Sequence, residues 1–239
     1  MQSGTEAAQE RRMSENLLRQ QRFINDVSHE LRTPLTIIRG YVDILEHYGA
    51  QDPELFTEAV TSIKVSAQNM QSLVENLLFL ARAEQGRQPL TLVPVDLDDL
   101  LIKFVADYNS PRVQIAKLTP CKIMADADFA KKMFAAFVDN ALRYSPPDKP
   151  AKIELTTADG TATLKFIDEG IGISEEDCAK IFDSFYRTDK ARTKHDSGES
   201  SVGLGLTIAK WIADRHNIKI SVKSKLGKGS TFALNIPTI

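Results

Sequence analysis

Val27 and Leu31 stand four residues apart, with His29 between them. On a helix, two residues turn the chain by about 200°. An imidazole at position 29 therefore faces away from the stripe that its neighbours form. A neutral imidazole near physiological pH is a good nucleophile when one ring nitrogen is oriented and the other left free. Glu30 is the adjacent carboxylate, suited to take or hold the ring proton. Pro34 removes a backbone donor and crowds the carbonyl of Glu30, which predicts a kink just past the histidine. A lone histidine is more often a residue without chemistry. The context Phe23-Ile24-Asn25-Asp26-Val27-Ser28-His29-Glu30-Leu31-Arg32-Thr33-Pro34-Leu35 argues otherwise.

A second group of chemically capable residues is spread over four later segments. Ala136, Asn140, Arg143 and Tyr144 share one helix face, and an asparagine carbonyl suits Mg²⁺, which keeps waters and bridges substrate phosphates. Asp168-Glu169-Gly170-Ile171-Gly172-Ile173 follows a predicted strand. Its glycines allow close approach of backbone to a ligand, and its carboxylate can accept from an exocyclic amine such as adenine N6. Ile181-Phe182-Asp183-Ser184-Phe185-Tyr186-Arg187 precedes a polar run up to Val202 whose composition suggests a mobile lid. Gly203-Leu204-Gly205-Leu206 opens a helix, where free N–H groups and the dipole favour phosphate. The segment 227–232 adds hydroxyls at Ser230 and Thr231. Taken singly, Asn140 reads as a surface residue, the Asp-Glu-Gly turn as an ordinary turn, and the polar run as a solvated loop.

The elements that must position these groups fall into two halves. Ile24, Val27, Leu31, Leu35, Ile38, Val42 and Leu45 recur at three and four residues, as do Ile63, Ala67, Met70, Leu73, Leu77 and Leu80. These are two amphipathic helices, joined through breakers at Gly49, Asp52 and Pro53 into an α-hairpin. A hairpin alone cannot bury two stripes. A second copy, giving a four-helix bundle, is the natural physical solution; packing on the chain's own second half is the competing one. After a polar stretch over 84–89 the pattern mixes. Ala162, Leu164 and Phe166 alternate with polar residues, as do Ile218, Ile220 and Val222, then Phe232, Leu234 and Ile236. These predict half-buried antiparallel strands, with a tight turn at Asp159-Gly160 and helices over 97–106, 128–144 and 205–215. The expected fold is α+β: an N-terminal helical hairpin forming a dimeric four-helix bundle, then a two-layer α/β sandwich. The expected domains are 10–86 and 90–239.

The 239 residues, 42% hydrophobic and 26% charged, provide for one or two globular cores. A formal net charge of −2 supplies no long-range field that would favour nucleic acid or an anionic membrane as the main partner. Cys121 and Cys178 are far apart, outside any metal-ligand spacing, and read as reduced thiols. No apolar run nears the ~20 residues needed to span a bilayer. His47, His195 and His216 read as ordinary surface or loop residues.

The segment around His29 resembles the phosphoacceptor box of histidine kinases. The later segments match, in order and approximate spacing, the asparagine, glycine and phenylalanine boxes of the histidine kinase ATP-binding domain, and the resemblance runs from about Arg12 to Ile236. It implies that His29 is phosphorylated from ATP and that Glu30 is the general base. It makes Thr33 the residue placing a water that hydrolyses a phosphorylated response regulator. Asn140 would coordinate Mg²⁺, Asp168 would read adenine, Tyr144 would lie against the base or ribose, and Arg187 would approach the terminal phosphate. Arg143, Ile173, Leu204, Leu206 and Thr231 would complete the nucleotide site, and Gly170, Gly172, Gly203 and Gly205 would let the backbone wrap it. The implied partners are a second copy of the chain and the receiver domain of a response regulator. The implied location is the cytoplasmic portion of an inner-membrane sensor, with membrane contact only through a segment not present in this chain. Residues 80–94 are expected to act as a hinge.

Some positions depart from the family pattern. Ala136 stands where another asparagine is common, Arg143 where lysine is usual, and Phe129 and Ala130 where arginine and leucine are common. Val202 stands where a small or hydroxyl residue is typical. An ATP-hydrolysing machine resembling gyrase or the related chaperone ATPases is the competing enzyme class. It needs a carboxylate one turn before the asparagine, where Ala136 cannot act as a base. Two further classes compete: a non-enzymatic dimeric scaffold, and a protein acting mainly as a phosphatase.

Overall fold

The computed structural model describes residues 2–48, 52–188 and 203–239, without the side chains of 2–17, 19, 20 and 22. The lid expected up to Val202, and His195 with it, lie largely outside the described residues. The chain divides into two compact units, one ending at Leu78 and the other beginning at Phe79.

In the first unit, α1 (Gln2–Tyr48) continues through Pro34 without interruption, and α2 (Pro53–Glu84) follows. Asp52 starts α2: its carboxylate accepts from the N–H groups of Glu54 and Leu55, both at 3.0 Å. Pro53 occupies the first helical position, where its missing N–H costs nothing. Tyr41 of α1 donates to Glu58 of α2 at 3.2 Å. Pro34, Ala59, Ser66 and Leu73 are buried, whereas Ile24, Leu35 and Val42 on α1 and Phe56, Val60, Val65, Val74 and Leu78 on α2 are exposed.

The second unit contains β1 (Val93–Asp96), α3 (Leu97–Tyr108), β2 (Val113–Lys117), β3 (Lys122–Ala125), α4 (Ala127–Tyr144), β4 (Ala151–Ala158), β5 (Thr161–Ile167), α5 (Glu175–Cys178), α6 (Gly205–Arg215), β6 (Lys219–Lys225) and β7 (Gly229–Pro237). Five strands form one sheet in the order β2-β4-β5-β7-β6, and β1 pairs with β3 in a small second sheet. The expectation of antiparallel strands holds for β4 through β7. It does not extend to the edge, because β2 runs parallel to β4. Asp159 and Gly160 both take positive φ, 49° and 72°, in the two-residue hairpin between β4 and β5.

Alternation along β5 and β7 turns Leu164, Phe166, Phe232 and Leu234 to one buried face. Phe137 of α4 stacks on Phe166 with centroids 5.2 Å apart and lies 5.3 Å from Phe232, while Phe134 meets Phe104 of α3 at 5.7 Å. Helix layer and sheet thus share one aromatic core.

The end of α2 belongs to this unit. Phe79, Leu80 and Ala83 are buried, and Phe79 meets Trp211 edge-on at 5.2 Å and Phe129 at 5.8 Å. Helix continues to Glu84, so the irregular link covers only 85–92 of the expected hinge. His216 is not the surface residue expected. It is 6% exposed, its Nε2 accepts from the N–H of Asp126 at 3.0 Å, and its Nδ1 lies 2.8 Å from the carbonyl of Ile212. One buried ring thereby joins the end of α6 to the start of α4.

Candidate nucleotide site and phosphoacceptor helix

Asp126 caps α4 by accepting from the N–H groups of Asp128 and Phe129. The helix then carries Asn140, Arg143 and Tyr144, all half-buried, to its C-terminal end. There the carbonyl of Tyr144 accepts from the N–H of Ile171 at 3.2 Å, which seats the Asp168 turn on the last helical residue. A Cβ on Gly170 would come 2.5 Å from that same carbonyl oxygen, so only glycine fits. The expectation that these glycines serve a ligand gains a different reason here. Gly170 is required by the chain's own backbone.

Asp168 is 5% exposed. Its Oδ1 accepts from the N–H of Gly170 at 2.9 Å and of Ser230 at 3.1 Å. Burial pushes the carboxyl pKa up, and the two backbone donors oppose that rise. A carboxylate has about four acceptor positions, so two donors leave room for a ligand amine. Ser145, buried at the end of α4, has a hydroxyl with no partner among the described residues. Thr231 follows Ser230 in β7, half-buried.

Gly172 takes φ +70°, and Ile173 donates its N–H to Ser224 Oγ at 2.8 Å. Gly203, at φ +71°, accepts from the N–H of Phe185 at 3.1 Å. Leu204 is buried, and α6 opens at Gly205 with no side-chain cap, so its first N–H groups are not taken by a cap. A Cβ on Gly205 would lie 3.7 Å from that of Ala136. Leu206 and Arg187 are half-buried. The uncapped start of α6 therefore stands one turn from Asn140 along the same face of α4. Tyr186 donates to Asp177 at 2.5 Å, fixing the segment that leads to Arg187.

Among the described residues no cluster of three or more His, Cys, Asp or Glu side chains is set to hold a metal. Mg²⁺ completed by phosphate oxygens and waters needs only one or two protein oxygens. The amide oxygen of Asn140, one turn along α4 from the residue that meets the opening of α6, is a fitting donor by its chemistry.

His29, Glu30 and Thr33 belong to the first unit. The imidazole is exposed, Glu30 is half-buried, and Thr33 is exposed with its hydroxyl 3.4 Å from the carbonyl of His29.

Residues 19–86 match the family model of the His Kinase A (phospho-acceptor) domain. Residues 125–239 match that of the histidine kinase-, DNA gyrase B-, and HSP90-like ATPase. By its paired phospho-acceptor and ATPase domains the chain belongs to the histidine kinase family of two-component systems. This chain is 38% identical over 226 residues to the sensor histidine kinase YkoH of Bacillus subtilis, covering 93% of the chain and 48% of that protein. It is 26% identical to the Acinetobacter baumannii histidine kinase AdeS, with a TM-score of 0.66, over 87% of this chain and 97% of that one. Histidine kinase ThkA, solved in complex with response regulator protein TrrA, shares the fold at 22% identity and a TM-score of 0.67, over 96% of this chain and 65% of that one. The chain spans about half the length of the curated relatives it matches. No helix among its described residues is long and apolar enough to cross a membrane.

Sequence reasoning missed Ser224, whose hydroxyl receives the Ile173 N–H and itself donates to the carbonyl of Gly229 at 2.9 Å. A serine within an alternating strand carries no signal of that role.

Proposed function

We propose that the whole protein phosphorylates itself on His29 from ATP and passes the phosphoryl group to an aspartate of a response-regulator receiver domain. The observation that carries this reading is the exposed imidazole of an acceptor-type helix in a chain whose α4 meets the opening of α6 at Ala136 and the Asp168 turn at Tyr144, with Asn140 between them. The regulator as partner is supported by the solved pairing of ThkA with TrrA.

A ring nitrogen of His29 attacks the γ-phosphorus, the bond to the bridging oxygen breaks, and ADP leaves. Glu30 takes the proton from the other ring nitrogen and so offsets the imidazolium charge. Asp168 accepts from the adenine amine and Tyr144 lies along the base or ribose. Ile173 and Thr231 line the base side, while Gly172, Gly203, Leu204 and Leu206 set the backbone that follows the phosphates. Backbone N–H groups at Gly205 face the phosphates, with Arg143 and Arg187 adding positive charge. Asn140 would hold Mg²⁺, which would supply neutralisation of the phosphate charge. Thr33 orients the water for the opposing phosphatase activity toward the regulator.

The exposed Ile24, Leu35, Val42 and Leu78 favour a homodimer with the hairpins paired in a four-helix bundle. Domains of 10–86 and 90–239, a cytoplasmic setting and membrane attachment through a segment outside this chain complete the reading.

Incubation with γ-labelled ATP and Mg²⁺ tests it. Acid-labile, base-stable label is expected on the protein, absent from His29→Gln and reduced by about a hundredfold or more in Asn140→Asp. Mixing the two variants restores label if transfer runs between protomers. Undiminished label on His29→Gln would sink the proposal.

A further inference from the structure

Arg112 stands outside every motif of the nucleotide site. It belongs to the turn Ser110-Pro111-Arg112-Val113, in which the N–H of Val113 donates to Ser110 O at 3.1 Å and proline presets the entering φ. Its own carbonyl accepts from the N–H of Ala151 at 2.8 Å, which pins the Arg112 backbone at the junction of β2 with β4. From that fixed point the side chain reaches the C-terminal end of α4. Nη2 donates to the carbonyls of Pro146 at 2.8 Å, Lys149 at 3.0 Å and Leu142 at 3.3 Å, and Nε donates to Lys149 O at 3.1 Å. Leu142 O is among the last carbonyls of a helix, which helical geometry leaves without partners. A cation there also opposes the negative end of the helix dipole.

What this end of α4 carries gives the brace its meaning. Asn140, Arg143 and Tyr144 occupy its last two turns, and Tyr144 O holds the Asp168 turn through Ile171. A helix end that frayed would move the groups facing phosphate relative to the carboxylate facing the base.

Resting on the nucleotide-binding reading, we propose that Arg112 is a positioning residue for ATP. It fixes the end of α4 against the Asp168 turn so that both meet one nucleotide together. It acts through main-chain carbonyls and touches no ligand itself. Lysine cannot replace it fully, because an ammonium lacks the planar fork that serves several carbonyls at once.

The test compares the unaltered full chain with Arg112→Met, which keeps the aliphatic stem, and with Arg112→Lys. Titration calorimetry gives Kd for ATP and for GTP with Mg²⁺. Labelling of His29 at saturating ATP and the melting temperature are measured alongside. Arg112→Met is expected to weaken ATP binding by about tenfold and to narrow the ratio of GTP to ATP dissociation constants. The saturated rate should change by less than about threefold. Arg112→Lys should fall between the other two. A lowered melting temperature with both dissociation constants unchanged would mean a purely structural role and overturn the inference. If Arg112→Met does not fold, Arg112→Lys decides by the same criterion. Failure of the unaltered chain to bind ATP overturns the nucleotide reading and this inference together. Equal ATP affinity in all three proteins overturns this inference alone.

Discussion

In the α/β unit Phe134, Phe137, Phe166 and Phe232 are each at most 1% exposed, whereas in the hairpin Ile24 and Leu35 are each 56% exposed and Leu78 is 51% exposed. The N-terminal unit leaves several large apolar side chains of both helices exposed although Leu73 is buried, and the C-terminal unit closes its aromatic residues inside two layers. The contrast teaches where stability must come from. The α/β core is complete within one chain. Under the proposed pairing of hairpins that burial would come from a second copy, so the stability of the hairpin would depend on protein concentration while that of the α/β unit would not.

The strongest way to sharpen this contrast is Phe137→Ala. Loss of its ring contacts with Phe166 and Phe232 should cost about 3–5 kcal/mol, seen as an earlier loss of the near-ultraviolet circular dichroism signal. The helical transition of the hairpin should stay in place. A shift of both transitions together would break the comparison.

Leu35→Lys attacks the other side. A charge on each copy of the exposed stripe should raise the dimer dissociation constant by about a hundredfold, read by sedimentation, with the α/β transition unmoved. Unchanged sedimentation would mean that Leu35 lies outside the pairing surface.

The smallest effect is expected at Tyr108, which donates to Asp139 at 2.5 Å. Tyr108→Phe should cost about 1 kcal/mol at neutral pH. Burial, then the Asp139 carboxylate, raise the phenol's pKa above its ordinary 10.0. The folded protein therefore holds that proton more tightly than the unfolded chain. Its contribution is complete below pH 10.0 and is lost as pH rises beyond it. Chemical denaturation from neutral to strongly alkaline pH should show the variant's deficit shrinking. A deficit independent of alkaline pH would sever the phenol from the effect.

The periodic elements were legible because their burial is one-sided. The stripes of α1 and α2, the alternation in β5 and β7, and the Asp159-Gly160 turn follow from local patterning alone. Short strands lacked that pattern: β1 and β3 have four residues each. The parallel pairing of β2 with β4 depends on a crossover that no local window contains. His29 was readable as exposed because helical angle decides it. His216 was misread, since its partner Asp126 lies 90 positions away. Arg112 was invisible for a similar reason, because its bonds go to main-chain carbonyls, which every residue type offers.

The meeting of Phe79, Phe129 and Trp211 has a practical consequence. Trp211 is the single tryptophan of the chain, with the Arg215 guanidinium 5.2 Å from its ring centre on the same helix. Its indole emission therefore reports on one corner only, where the closing turn of α2 rests beside α4 and α6. The protein carries an intrinsic optical gauge there, without any label. A change in emission colour on adding ATP would register rearrangement at that corner, and quenching by added iodide would register how far it opens to water.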